Sequence, residues 1–245
     1  MNDWTISSEN DMVMVFESLA YAFGLFLGNG HARCYPGTGN GGWYITESCS
    51  MDKEVAEKWR EQVNTVFKAS YPLLTRTLKS GIPFYTVRAS KKVVFAVFTS
   101  FTDFRQDFPS ELWKASLDVK RYFVAGLMDS DGTVKVTKLP SGLPRWQLGF
   151  SNTKLALTEG LASLLFQLGV KVGVISKYTK QGYLEMHSIY PNIRSFYDAG
   201  LFFVSKRKQQ RLLDYVNRVV GSETMYSASD TLDDDIVQPN YESVG

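Results

Sequence analysis

The sequence runs to 245 residues, 44% of them hydrophobic and 14% aromatic, enough for one large domain or two small ones with real cores. No apolar run approaches the roughly 18–20 residues of a helical membrane span, the acidic start MNDWTISSENDM is unlike a signal peptide, and two cysteines, Cys34 and Cys49, build no disulfide framework. All 27 Lys and Arg fall between residues 19 and 220 against 15 of the 25 acids, so a body with a surplus of 12 positive charges lies between acidic ends. The expectation is a soluble, intracellular chain with a polyanionic partner.

In chain order, an acidic N-terminal extension (1–17) gives way to an apolar helix, LAYAFGLFLGNG, ending at Asn29 and Gly30. A strand HARCYPG, a Gly-rich loop and a strand WYITESC follow, then the amphipathic helix VAEKWREQVNTVF, the strand PFYTVRA and a last helix. After a break near Pro109–Lys120 the order begins again: helix YFVAGLMDSDG, strands TVKVTKL and RWQLGFS, helix LALTEGLASLLFQLG, strand GYLEMHS and a closing helix. The tail SETMYSASDTLDDDIVQPNYESVG lacks helical or alternating periodicity, and disorder is expected for 221–245.

The two runs are a duplication. An offset of 102 residues carries Gly24 onto Gly126, Leu25 onto Leu127, Gly28 onto Ser130, Asn29 onto Asp131 and Gly30 onto Gly132. Small residues four apart on one helix face let two helix backbones approach closely. Gly30 and Gly132 are expected in the left-handed conformation that ends a helix. Paired side by side, the helices would bring Asn29 and Asp131 together at two partly negative helix ends, where an acid is tolerated beside a cation. A divalent-cation site is the expectation there.

LAYAFGLFLGNG and YFVAGLMDSDG resemble the two signature helices of single-chain LAGLIDADG homing endonucleases, and the resemblance covers roughly residues 18–220. It implies an α+β fold of two pseudo-symmetric αββαββα halves (18–110 and 121–220, with a linker at 111–120). The signature helices pack at the interface, and antiparallel sheets form a saddle over double-stranded DNA. The implied protein is a monomeric, metal-dependent DNA endonuclease of intron or intein mobility, using Mg²⁺ or another divalent cation such as Mn²⁺ or Ca²⁺. Asp131 and Asn29 would be the metal ligands at the helix ends, helped by the carbonyls of Gly28 and Ser130. Lys206 would polarise the attacking water, and Asn152, with Ser50 at the 102 offset, would position solvent. Arg207 and Lys208 would contact phosphate.

The strands supply the expected DNA readers, because a twisted antiparallel ribbon fits the major groove. By the resemblance, the alternating strands turn Arg33 and Tyr35, then Trp43, Ile45 and Glu47, toward DNA in the first half, and Lys135, Thr137, Arg145 and Gln147 in the second. Arg88, Ser176, Tyr178, Glu185 and His187 are further candidates on the later strands of the two halves.

Asn29 departs from the family pattern. An amide oxygen ligates a cation without bringing charge, so one of two sites should be weakened. The leading expectation is an impaired or nicking endonuclease; the alternatives are a cleavage-deficient DNA binder or an intron RNA maturase on the same fold. A metabolic enzyme finds no support: there is no GxxxxGK[ST] loop or HExxH, His31 and His187 have no metal-ligand spacing, and the DSDG fragment lacks the glutamate of a calcium loop.

Overall fold

The computed structural model describes residues 9–35, 42–105 and 107–223. Two successive halves repeat one element order. The first comprises α2 (Ala20–Asn29), β1 (Gly30–Tyr35), β2 (Trp43–Ser50), α3 (Lys53–Val66), β3 (Leu73–Thr77), β4 (Pro83–Ala89) and α4 (Lys92–Phe101). The second comprises α6 (Leu117–Asp131), β5 (Gly132–Lys138), β6 (Pro144–Asn152), α7 (Leu155–Gln167), β7 (Ser176–Lys180), β8 (Leu184–Ile189) and α8 (Ile193–Asp198). The antiparallel sheets have matching strand orders, β1-β2-β4-β3 and β5-β6-β8-β7. The expected αββαββα duplication is thus observed.

Three helices lie outside this repeat: α1 (Glu9–Ser18), α5 (Ser110–Lys114) and α9 (Lys206–Glu223). The segment expected as an N-terminal extension is, from Glu9, the helix α1, and its Phe16 ring stacks 5.5 Å from Phe23. Apolar Val15 and Phe16 on one face explain why this acidic stretch joins the core. The linker holds α5, and α6 begins at Leu117, where Ser116 caps it by accepting from the Val119 N–H. α9 runs through Gly221–Glu223, and 224–245 lies outside the described residues.

α2 and α6 cross at backbone contact. A Cβ on Gly24 would collide with the Phe123 carbonyl oxygen and stand 2.9 Å from the Leu127 nitrogen. On Gly126 it would collide with the Tyr21 carbonyl oxygen and stand 2.8 Å from the Leu25 nitrogen. The four partners are related by the same offset as the glycines, so the seam has pseudo-twofold symmetry. Around it, Phe23, Phe26, Phe123 and Leu127 are fully buried, and α2 is apolar on every face because every face is covered. Among the described residues no single helix is long and apolar enough to cross a membrane.

Gly30 and Gly132 are not left-handed. Their φ angles are −77° and −81°, extended backbone, because each helix passes directly into a strand. Glycine is required there for space: a Cβ would collide with the Phe26 ring in one half and the Met128 carbonyl in the other.

Gly24→Ala should therefore destabilise the protein by about 3 kcal/mol, the upper range for overpacking. That corresponds to a melting temperature about 6–12 °C lower. A thermal melt within 1–2 °C or so of the parent would mean the helices do not meet at backbone distance.

Candidate metal centre and nucleic-acid interface

The ends of α2 and α6 converge. A Cβ on Gly28 would overlap the Ser130 side chain and stand 3.0 Å from Asp131 Oδ2, so the carboxylate of one half leans over the backbone of the other. The Asn152 amide donates to Asp131 Oδ2 at 2.7 Å, and Asn152 Oδ1 accepts from the Lys154 N–H at 2.9 Å, which fixes the amide orientation. Burial pushes the Asp131 carboxyl above its ordinary value, opposed by the Asn152 hydrogen bond and by Arg105 and Lys208.

Around this pair the residues divide into two groups, each drawn from both halves. Beside Asp131 and Gly28 stands Arg105, in the 3-10 turn Asp103–Arg105. Its guanidinium donates to the Leu27 carbonyl at 2.9 and 3.1 Å and also to the Gly28 carbonyl. Lys154 reaches the Arg105 carbonyl. On the other side, a cleft of about 920 Å³ is lined by Asn29, Cys49 and Ser50 from one half and Ser130, Lys135 and Lys208 from the other. Lys208 is buried, and its ammonium donates to the carbonyls of Met128 at 2.9 Å and Asp129 at 2.7 Å. Desolvation brings its pKa down to about 8, against the attraction of Asp129 and Asp52. Asp129 is pushed by burial up to about 6, opposed by Lys208 and by donors from Val204, Tyr21 and Ser205.

Lys206, expected to sit at the water, does not. It is exposed at the start of α9, and its backbone N–H donates to Glu54 at 2.6 Å. Lys208, expected at phosphate, is the lysine turned inward. Two residues along a helix rotate the side chain by about 200°, so the start of α9 decides which lysine faces the seam. Lys208 lines the Asn29 cleft, and both it and Arg105 act electrostatically on Asp131. Ser50 accepts from the Asp52 N–H, and the Asn29 carbonyl receives the Cys49 thiol at 3.7 Å.

Most expected readers share the open face of their sheet. Arg33 pairs with Ile45, Tyr35 with Trp43, and Glu47 with Arg88, while Thr46 and Ser48 turn to the buried side. Arg88 bonds Glu47 at 2.9 Å. In the second sheet Lys135 pairs with Gln147 and Thr137 with Arg145, and Ser176 and Tyr178 lie on the same face. Glu185 and His187 do not. His187 pairs with Asn152, two residues from the buried Phe150–Ile189 pair, which puts it on the core side; its imidazole and Lys177 both contact Glu185. A strand's faces alternate with period two, so one residue of register exchanges them; Leu184 and Met186 occupy the open face instead. Arg76, stacked 4.5 Å over Phe84, is a basic residue of the open face that the first sequence pattern missed.

Residues 118–217 match the family model described as a LAGLIDADG-like domain. A variant of the homing endonuclease I-DmoI, solved with its target DNA and manganese, superposes with a TM-score of 0.56 at 16% identity, covering 80% of this chain and 98% of that one. A double mutant of I-SmaMI gives 0.53 at 12%, covering 84% and 92%. The LAGLIDADG homing endonuclease I-LtrWI bound to target DNA gives 0.50 at 12%, covering 87% and 91%. Other I-DmoI structures were solved with DNA and calcium, or in the presence of magnesium. No curated protein matches the chain in sequence. The chain shares its fold with these homing endonucleases. The match to the family model falls on its second half, and the first half repeats the same topology.

Asp52 fastens the two halves near the cleft. It accepts from the Ser205 hydroxyl at 2.6 Å and from Arg207 at 3.2 Å. Burial raises its pKa, but those hydrogen bonds and the Arg207 charge outweigh this and leave it below the ordinary value. A depressed carboxyl stabilises the fold above its unfolded pKa and loses that contribution as pH falls through the folded one. Asp52→Asn should thus cost about 1–2 kcal/mol at pH 7, discounted for the exposed Arg207. The gap should close below about pH 4; urea unfolding of both proteins across that range measures it, and a gap independent of pH contradicts the assignment.

Proposed function

We propose that the chain is a sequence-specific, double-strand-binding DNA endonuclease that hydrolyses phosphodiester bonds with a divalent cation, Mg²⁺, Mn²⁺ or Ca²⁺ being the candidates. One observation carries this reading: a partly buried carboxylate, Asp131, stands at two converging helix ends and is held by Asn152 between two sheets with basic open faces. The relatives with the same fold were solved with DNA and with such ions.

The residues of the Asp131 side suit a hard cation: one full charge and a hydrogen bond that fixes it, with the Gly28 backbone of the other half close beside the carboxylate. A bound cation would supply positive charge to the attacking water and the scissile phosphate. Asn152 keeps Asp131 in one orientation through its own anchor on Lys154. Lys208, with a pKa near 8, presents an ammonium in the Asn29 cleft that can stabilise phosphate charge. The Asn29 side offers no carboxylate at its helix end, so the cut it serves is slow or absent, and the chain acts as a nicking enzyme. The same feature supports a second reading, a DNA-binding protein that has shed cleavage; intron RNA as partner has no observation in its favour.

Asp131→Asn should abolish cleavage, with at least about a hundredfold loss, while DNA affinity changes less than about threefold. Parallel nicking and filter-binding assays on a duplex selected from a random library would show it. Loss of affinity together with cleavage would make Asp131 a structural residue.

A further inference from the structure

The open faces of the two sheets differ in how their cations are held. On the first, Arg88 is paired with Glu47, Arg76 stacks over Phe84, and Arg33 donates to the Tyr35 hydroxyl. On the second, the register puts Lys135 and Arg145 on the open face, and Lys180, two residues beyond Tyr178, joins them. All three are exposed, and among the described residues none has an ion-pair partner. Glu185, the one acid of these four strands, is on the other face, where Lys177 and His187 hold it. Lys135 and Arg145 are diagonal neighbours across β5 and β6, about 7–8 Å apart at their backbones. Like charges so placed repel each other until an anion covers them.

The helix α9 leads an anion toward this sheet. It leaves the seam at Lys208 and follows the edge strand β5. Arg211 donates to the Val134 carbonyl at 3.0 Å, and Tyr215 meets Trp146, the partner of Val136, with ring centroids 6.2 Å apart. Each contact is farther from the seam and nearer the hairpin turn closed by Leu139 and Leu143. A further eight residues, about 12 Å of helix, bring α9 to its end at Glu223. The sequence beyond, 224–245, lies outside the described residues. It carries Asp230, Asp233, Asp234, Asp235 and Glu242, and no Lys or Arg. Asp230 follows Glu223 by seven residues, up to about 23 Å of extended chain. That is several times the roughly 5 Å between neighbouring strands, so the aspartates can round the edge strand to its open face.

We infer that the segment 230–235 is an intramolecular competitor for phosphate: it covers Lys135, Arg145 and Lys180 in the free chain and yields them to a duplex. This rests on the reading of the open sheet faces as a DNA surface. Tethering sets an effective concentration in the millimolar range, so contacts that are individually weak suffice to keep the face covered. The segment lowers affinity for any duplex, whatever its sequence, because it contests phosphate contacts and not base edges. Salt weakens both contestants, so the competition fades as salt is added.

The test compares the full chain with its D230N/D233N/D234N/D235N variant, both without metal. At about 0.15 M salt the screening length is about 8 Å, so only acids lying on the face affect DNA binding. The variant should bind a random duplex at least about tenfold more tightly than the full chain at about 0.15 M salt, and within about twofold of it at about 0.5 M. Equal affinities at the lower salt overturn the inference and leave the DNA surface standing. No binding by either protein overturns the DNA surface, and this inference with it. A second readout needs no DNA. A carbodiimide, which joins a carboxylate to an amine in direct contact, should link Lys135 or Lys180 to the segment 230–235 within one chain, as read by mass spectrometry. Links from these aspartates to other lysines only, or no links at all, overturn the inference even if the variant binds DNA more tightly.

Discussion

Everything in this molecule depends on two helices touching at their backbones. Gly24 and Gly126 remove the side chains that would hold α2 and α6 apart, and the Tyr21 and Phe123 carbonyls come into the space left. That contact fixes where the helices end relative to each other, and hence where Asn29, Ser130 and Asp131 stand. It also sets the relation of the sheets, because Gly30 and Gly132 pass each helix straight into the first strand of its sheet. The spacing of the helix ends and the span of the two open sheet faces are therefore one geometric quantity.

A consequence of the crossing is that neither half owns a complete site. Asp131 works with Gly28 and Arg105 of the other half, and the Asn29 cleft is closed by Ser130 and Lys208. Duplication followed by divergence then acts on composites. The first half carries an amide and an arginine where the second carries an acid and a lysine. At the seam both cations act on the acid, Asp131, while Lys208 also lines the cleft beside the amide, Asn29.

Much of this was legible in the chain. Small residues at a four-residue spacing, repeated at an offset of 102, gave away the helix pair, and strand alternation matches the open-face placement of Arg33, Trp43, Lys135 and Gln147. What was not legible depends on long-range registration. The face of Glu185 and His187 follows from how β8 pairs with β6, which β8 alone does not encode. The choice between Lys206 and Lys208 follows from where α9 starts, and that is set by Ser205, Asp52 and Glu54 meeting across the halves. Arg105 looks ordinary in TDFRQ; it becomes part of a site because a positive-φ turn aims it at the opposite helix end. Gly30 and Gly132 were rightly singled out, but for a steric reason rather than a left-handed one.

The central claim is that two unlike sites at one seam treat the two DNA strands unequally. The most direct measurement is strand-resolved sequencing of the ends produced when the chain acts on a randomised duplex library in Mg²⁺. The account predicts breaks at a defined sequence confined to, or strongly favouring, one strand. Double-strand breaks with both strands cut at equal rates would contradict it, because Asn29 and Asp131 would then be equivalent in spite of their charge.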